Sequence, residues 1–233
     1  MGTSSEYGGG KGGSWTPFKH AATDYAKHGG ADRARRVLAR HVATLGGVGG
    51  AVASAGAGIT VAQRLAGLFS GVGSAGLDAT LEQYALGALV GRDRFEVLGA
   101  LIELVAPAGA DLEGQAARSA ACDVIDEIFG DAESYEELAS VQLDATGVRQ
   151  ALELFLAAYV YNRALPVIEQ RLAKLDPAEA ERKDRELRDF IMAVVRLRLD
   201  GVDPFSVAWE APEGRALIED VLTDTYTQVE AWE

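Results

Sequence analysis

Along most of the chain, apolar residues recur at helical spacing. Val97, Leu98, Leu101, Ile102 and Val105 form one stripe, opened by Asp93 and stopped before Pro107. Val148, Leu152, Phe155, Leu156 and Tyr159 fit the i, i+3, i+4, i+7 pattern, and Pro166 is expected to kink the chain beyond it. Leu187, Phe190, Ile191, Val194 and Val195 make a further apolar face behind Asp176-Pro177-Ala178-Glu179, which combines an N-cap, a first-turn proline and a first-turn carboxylate. Asp78 is expected to cap a segment holding Leu81, Tyr84, Ala85 and Leu89, and Asp111 one that runs through Cys122, Ile125 and Phe129 to Gly130. Ser134 and Glu137 make a capping box. Asp203-Pro204 and Pro212-Glu213 read as two more helix starts, the second leading to Leu217, Ile218, Val221 and Leu222. Upstream, Thr16 and Pro17 stand as N-cap and first helical position of a helix closed by Gly29-Gly30. Asp32 opens the next, with Val37 and Leu38 facing inward. Almost nothing alternates with period two, residues 202–209 being the one strand candidate, so the expected class is all-α: an irregular multi-helix bundle.

The front of the chain breaks this pattern. Residues 1–14 hold six glycines and no apolar period, which reads as a flexible tail because ordering so much glycine is entropically costly. The division expected is a tail over 1–14 and one helical domain over 15–233, any sub-boundary falling near 130–145. Of the 27 glycines, 18 lie within the first 76 residues. Charge is equally uneven: residues 1–64 carry eight Lys/Arg against three Asp/Glu, whereas 65–233 carry 14 against 32. So acidic a body opposes wrapping nucleic acid over most of its surface, and no direct nucleic-acid partner is expected.

Residues 42–63 are 22 positions without a formal charge, which reaches membrane-spanning length. Six glycines, Thr44, Ser54 and Thr60, with no Phe or Trp, make a poor inserted segment. Close helix packing through small residues is the expectation; a membrane-associated helical effector or scaffold using 42–63 is the alternative.

Chemistry-bearing motifs are sparse. Gly8-Gly9-Gly10-Lys11-Gly12 fails as a phosphate loop, because Ser5 stands where the first glycine belongs and Gly12 where Ser or Thr must come after the lysine. Gly71-Val72-Gly73-Ser74-Ala75-Gly76 fits G-x-G-x-x-G in letters, but it comes after helical rather than strand sequence. His20, His28 and His41 have no companion ligands at metal spacing. Cys122, the single cysteine, reads as a small buried hydrophobe. No acid, base and nucleophile come together, so neither catalysis nor a cofactor or metal is expected. One cysteine and no apolar leader suggest a reducing, cytoplasmic setting.

The N-terminus is where chemistry is readable. Removal of Met1 would expose Gly2, though Glu6 stands where myristoylation wants Ser or Thr. A free α-amine titrates near ~7.7–8.0, so a usable fraction is neutral and nucleophilic. Fully extended, the tail reaches up to about 45–50 Å.

The opening MGTSSEYGGGKGG, the basic RARRVLARHVATLGG and the stretch GLDATLEQYALGALVGRDRFEVLGALIELVAPAGADLEGQAARSAACDVIDEIF together resemble the QatB family of the four-gene Qat anti-phage systems of bacteria. The likeness covers about residues 1–130, and the rest by helical character. It departs where Ser14-Trp15-Thr16-Pro17 replaces the Pro-rich stretch that comes after the glycines in that family. The resemblance implies a non-enzymatic defence component with three neighbours: a QueC-like enzyme (QatC), a KAP-type P-loop ATPase (QatA) and a TatD-like nuclease (QatD). QueC enzymes activate the carboxylate of a 7-deazaguanine with ATP for attack by ammonia. Related defence enzymes are thought to accept a protein's N-terminal glycine amine instead. By that likeness Gly2 is the modified residue, and Thr3, Ser4, Ser5, Tyr7, Gly8 and Gly9 form the segment read in the partner's cleft.

Overall fold

The computed structural model describes residues 15–109, 111–196 and 201–232. Among these residues the fold is all-α. In chain order come α1 (Trp15–His28), α2 (Ala31–Thr44), α3 (Gly47–Ala53), α4 (Gly56–Ala75), α5 (Leu77–Gln83) and, after a short 3-10 turn, α6 (Arg94–Val105). α7 (Leu112–Phe129), α8 (Tyr135–Ser140), α9 (Ala145–Leu172), α10 (Pro177–Arg196) and α11 (Pro212–Glu230) complete it.

Caps set many of these boundaries. Asp93 accepts from the Phe95 amide, Asp111 from Gly114 and Asp144 from Gly147, each satisfying a first-turn N–H that has no partner inside its helix. Asp176 does the same for Ala178 at 3.0 Å. The Ser134–Glu137 box forms with a shift of one residue: Ser134 Oγ accepts the Glu137 amide at 3.2 Å, while the Glu137 carboxylate takes the amide of Glu133 at 2.7 Å. Four expectations need correction. Thr16 lies inside α1, which already includes Trp15, and Pro17 is accommodated because a first-turn proline forfeits no helical hydrogen bond. Asp78 is a first-turn residue and not a cap. Gly76, at φ +84°, ends α4 and starts α5 in one position, so the cap falls two residues earlier. Asp203-Pro204 starts no helix. The Asp203 carboxylate accepts from the Phe205 amide and its carbonyl from Ser206, closing a turn that the Trp209 indole holds by donating to the Pro204 carbonyl at 2.8 Å. Residues 202–209 contain no strand, for the same reason.

α9 is the central pole, packed against α1, α4, α7 and α10. Every residue from Phe155 to Ala164 is buried, so this stretch has no solvent face at all. The helix runs through Pro166 to Leu172 without interruption. One connected core contains Phe18 of α1, Ile59 and Phe69 of α4, Val124 of α7, Phe155 of α9, Ile191 of α10 and Tyr226 of α11, together with Ala132, Leu138 and Leu143 from the 130–145 stretch.

The uncharged segment 42–63 is divided among the end of α2, α3 and the start of α4, with a bend of 61° between α3 and α4. Ala51, Ala55, Ile59 and Ala62 are buried in the core. Small residues are needed there because a Cβ on Gly58 would overlap the Tyr159 ring. By length and composition α9 would suffice to cross a membrane, as would α3 and α4 joined; 78% of α9's most apolar window is covered by the rest of the fold, the condition of a core helix.

At the α3–α4 break the two helix ends are met by opposite charges. The Glu113 carboxylate of α7 accepts from the amides of Ala57 and Gly58 at 3.0 and 2.8 Å, and from the Tyr159 hydroxyl at 2.5 Å. The Arg163 guanidinium, 3% exposed, donates to the Ala51 carbonyl at 2.8 Å, to Ser54 Oγ at 2.6 Å and to Tyr226 Oη at 2.8 Å. Anion at a helix N-terminus and cation at a C-terminus are the favourable pairing for the helix dipole, and burial strengthens it.

Replacing Arg163 with Met should therefore destabilise the protein by about 3 kcal/mol, since it orphans a buried carbonyl and a buried hydroxyl. Gly58→Ala should cost about 1–3 kcal/mol through overpacking against Tyr159. Chemical denaturation monitored by far-UV circular dichroism checks both.

Candidate functional site

Gly2, Thr3, Ser4, Ser5, Tyr7, Gly8 and Gly9 all lie outside the described residues. The structure does describe the point where that segment joins the body. α1 is pinned from its first turn: Phe18 is wholly buried, 6.1 Å from the Trp15 ring and 5.2 Å from the His41 imidazole. One helical turn before its end, the Tyr25 hydroxyl is shared between the Lys183 carbonyl at 2.8 Å and the Glu186 carboxylate at 2.7 Å. Lys183 of α10 is itself buried, its ammonium donating to the Ala26 carbonyl at 2.6 Å and pairing with Glu179 at 2.9 Å. Its stem lies over Gly29, whose φ of +61° turns the chain from α1 toward α2. The segment 1–14 therefore starts from a fixed root.

No catalytic constellation assembles among the described residues. Cys122 is half-buried, and burial pushes its thiol up, away from the thiolate form a nucleophile needs. His20 and His28 are exposed, the latter 3.8 Å from Asp24, whereas His41 is buried, and the three do not meet. No group of three or more His, Cys, Asp or Glu gathers as metal ligands among the described residues. Gly71 and Gly73 belong to the last turns of α4, and Gly76 is its C-cap. A Cβ on Gly71 would press on Thr80 and one on Gly73 would overlap the Leu143 carbonyl, so packing explains the first two, and the φ of +84° explains Gly76.

An open groove of about 430 Å³ runs between α4 and residues 204–211. Both serines in its lining are engaged: Ser70 donates to the Pro204 carbonyl and accepts from the Trp209 indole, and Ser74 donates to the Ser70 carbonyl at 2.7 Å. Tyr84 leans toward Glu210 at 3.4 Å, and burial, together with that carboxylate, raises its phenol further from ionisation. These contacts fasten the 204–211 loop to α4 and to the end of α5.

Sequence reasoning missed the half-buried Glu113 and the buried Arg163 and Lys183. Arg163 was visible as the one cation within LFLAAYVYNRALPVI, a run otherwise apolar enough for a core helix. Its partners come from α3, from the α3–α4 break and from α11, which no local pattern joins.

His41 is a further buried polar residue, and among the described residues neither ring nitrogen has a hydrogen-bond partner. Burial, assisted by the positive charge of Arg163, lowers its pKa from 6.5 to about 3. Between those values the unfolded chain takes up a proton that the folded chain refuses. The imidazole's contribution is thus intact above pH 6.5 and turns progressively destabilising as pH falls toward 3. His41→Leu should flatten this dependence, so the wild type should lose more melting temperature between neutral and mildly acid pH than the variant. At neutral pH the variant should be at least as stable, because an unsatisfied buried polar pair is removed.

Residues 46–229 match the family described as Qat anti-phage system associated protein QatB. No curated protein and no solved structure matches the chain.

Proposed function

The chain belongs to the QatB family of Qat anti-phage defence components, and we propose that it serves there as a non-enzymatic protein that offers its N-terminal glycine to a partner enzyme. The partner is the QueC-like QatC of the same system, acting in the cytoplasm. The carboxylate of a 7-deazaguanine, once activated by ATP on that enzyme, is attacked by the Gly2 α-amine. An amide bond forms, the activating group leaves with the carboxyl oxygen it held, and the surplus proton of the amine goes to solvent. Thr3, Ser4, Ser5, Tyr7, Gly8 and Gly9 are the segment read in the cleft, their mostly small side chains suiting a narrow entrance. QatA and QatD complete the assembly.

The observation that carries this reading is the anchored root of α1 behind a leader that begins Met1-Gly2. Phe18, Tyr25 and the Lys183 clamp hold the root, and the fourteen residues ahead of Trp15 are long enough, about 45–50 Å extended, to reach another protein's active site. The family match begins at residue 46, so the leader's role rests on its own chemistry and on the resemblance of its sequence.

Intact-mass and N-terminal peptide spectra of the protein from cells carrying its Qat system test the proposal. A mass added on Gly2, lost when QatC is inactivated, is the expected result; an unmodified Gly2 under those conditions overturns it. Deleting residues 2–10 should abolish phage protection while leaving helicity and melting temperature nearly unchanged.

A further inference from the structure

The basic front of the chain has a shape that composition alone does not give. α1 and α2 form a helical hairpin, and along it runs an open groove of about 360 Å³ lined by Pro17, His20, Ala21 and Asp24 of α1 and by Arg36 and Arg40 of α2. The α1 residues keep i, i+3, i+4, i+7 spacing and the α2 pair i, i+4, so each helix contributes one continuous stripe. Pro17 and Ala21 give the groove an apolar strip, the two arginines line its other side, and His20 is exposed beside them. Asp24, the one carboxylate in the lining, is already engaged by Arg33 at 2.9 Å and lies 3.8 Å from His28. Arg36 is exposed and joins no ion pair among the described residues. Among the described residues the lining thus sets two arginines against one engaged carboxylate, and on its apolar strip Pro17 is exposed and Ala21 half-buried.

We propose that this groove is the docking site for an acidic, amphipathic segment of a partner protein, whose carboxylates meet Arg36 and Arg40 while an apolar side chain rests on Pro17 and Ala21. Arginine suits this role because its planar fork receives a carboxylate through two hydrogen bonds. Charge and length select a protein segment over nucleic acid. α2 has 14 residues, about 21 Å of helix. A polyanion running past that length meets residues 65–233, where 32 Asp/Glu face 14 Lys/Arg, whereas a peptide segment ends before it does. The groove opens at Pro17, two residues from Trp15, so a partner seated in it stands beside the root of the N-terminal leader. The proposal concerns the groove and not the amine, and it holds whether or not Gly2 is modified.

Fluorescence anisotropy on the full-length protein tests it, with a labelled glutamate-rich helical peptide carrying leucine along one face. A lysine-rich counterpart and a single-stranded DNA of similar length are the comparison probes. The glutamate peptide should bind best, and Arg36→Glu with Arg40→Glu should weaken it about tenfold or more. Arg92→Glu, an exposed charge reversal far along the chain, should leave it unchanged, and unaltered melting curves show that each variant folds. Equal affinity in the double variant, no peptide binding by the wild type, or tighter binding of DNA than of peptide overturns the proposal. So does concentration-dependent self-association abolished by the double variant without peptide binding, which would make the occupant a second copy of the chain. A plain Gly2 mass leaves the binding result standing, so this inference and the modification reading fail separately.

Discussion

A buried arginine at the break between two helices holds the centre of this protein together. α3 and α4 meet at 61°, a geometry that would strand the last carbonyls of one helix and the first amides of the other inside an apolar core. Arg163 answers the carbonyl end and Glu113 the amide end. Tyr159 and Tyr226 then fix the two charged side chains by their hydroxyls. The four residues come from α7, α9 and α11, so satisfying one bend ties three long helices to a fourth. The small residues around it reflect the same constraint: Gly58 lies against the Tyr159 ring, where no side chain fits.

Lys183 repeats the device at the edge of the molecule. Its ammonium caps α1 through the Ala26 carbonyl while Glu179 balances the charge from one turn away on α10. Both buried cations therefore serve helix ends, and both hold elements distant in sequence. The consequence for function is mechanical. The hairpin of α1 and α2 cannot swing freely on Gly29 and Gly30, because α10 grips α1 beside that turn and Arg35 of α2 lies over the Phe190 ring of α10 at 5.3 Å. A basic platform held in place at the base of the leader, set on an acidic body, suits the proposed presentation of that segment to a partner.

Much of the fold was legible locally. Asp93, Asp111 and Asp176, each ahead of a periodic apolar face, mark helix starts by a mechanism acting within four residues, and those starts are where the structure has them. Asp203-Pro204 carries the same letters and starts no helix, because the Trp209 indole and Ser70 hold the Pro204 carbonyl in a turn. Asp78 was displaced by a glycine able to serve two helices at once, a conformation at positive φ that no hydrophobic pattern reports.

The sequence by itself determined the all-α class, the inward faces of the long helices and the separation of a basic front from an acidic body, since each depends on periodicity, capping or charge within a short stretch. Only the tertiary structure decided that the uncharged segment 42–63 is bent into the core, that Arg163 and Lys183 are buried, that the His41 ring nitrogens find no hydrogen-bond partner among the described residues, and that Pro17, His20, Arg36 and Arg40 line one groove. These depend on groups dozens of residues apart along the chain. Their energies come from desolvation and from pairing across helices, and those terms exist only once the helices have packed.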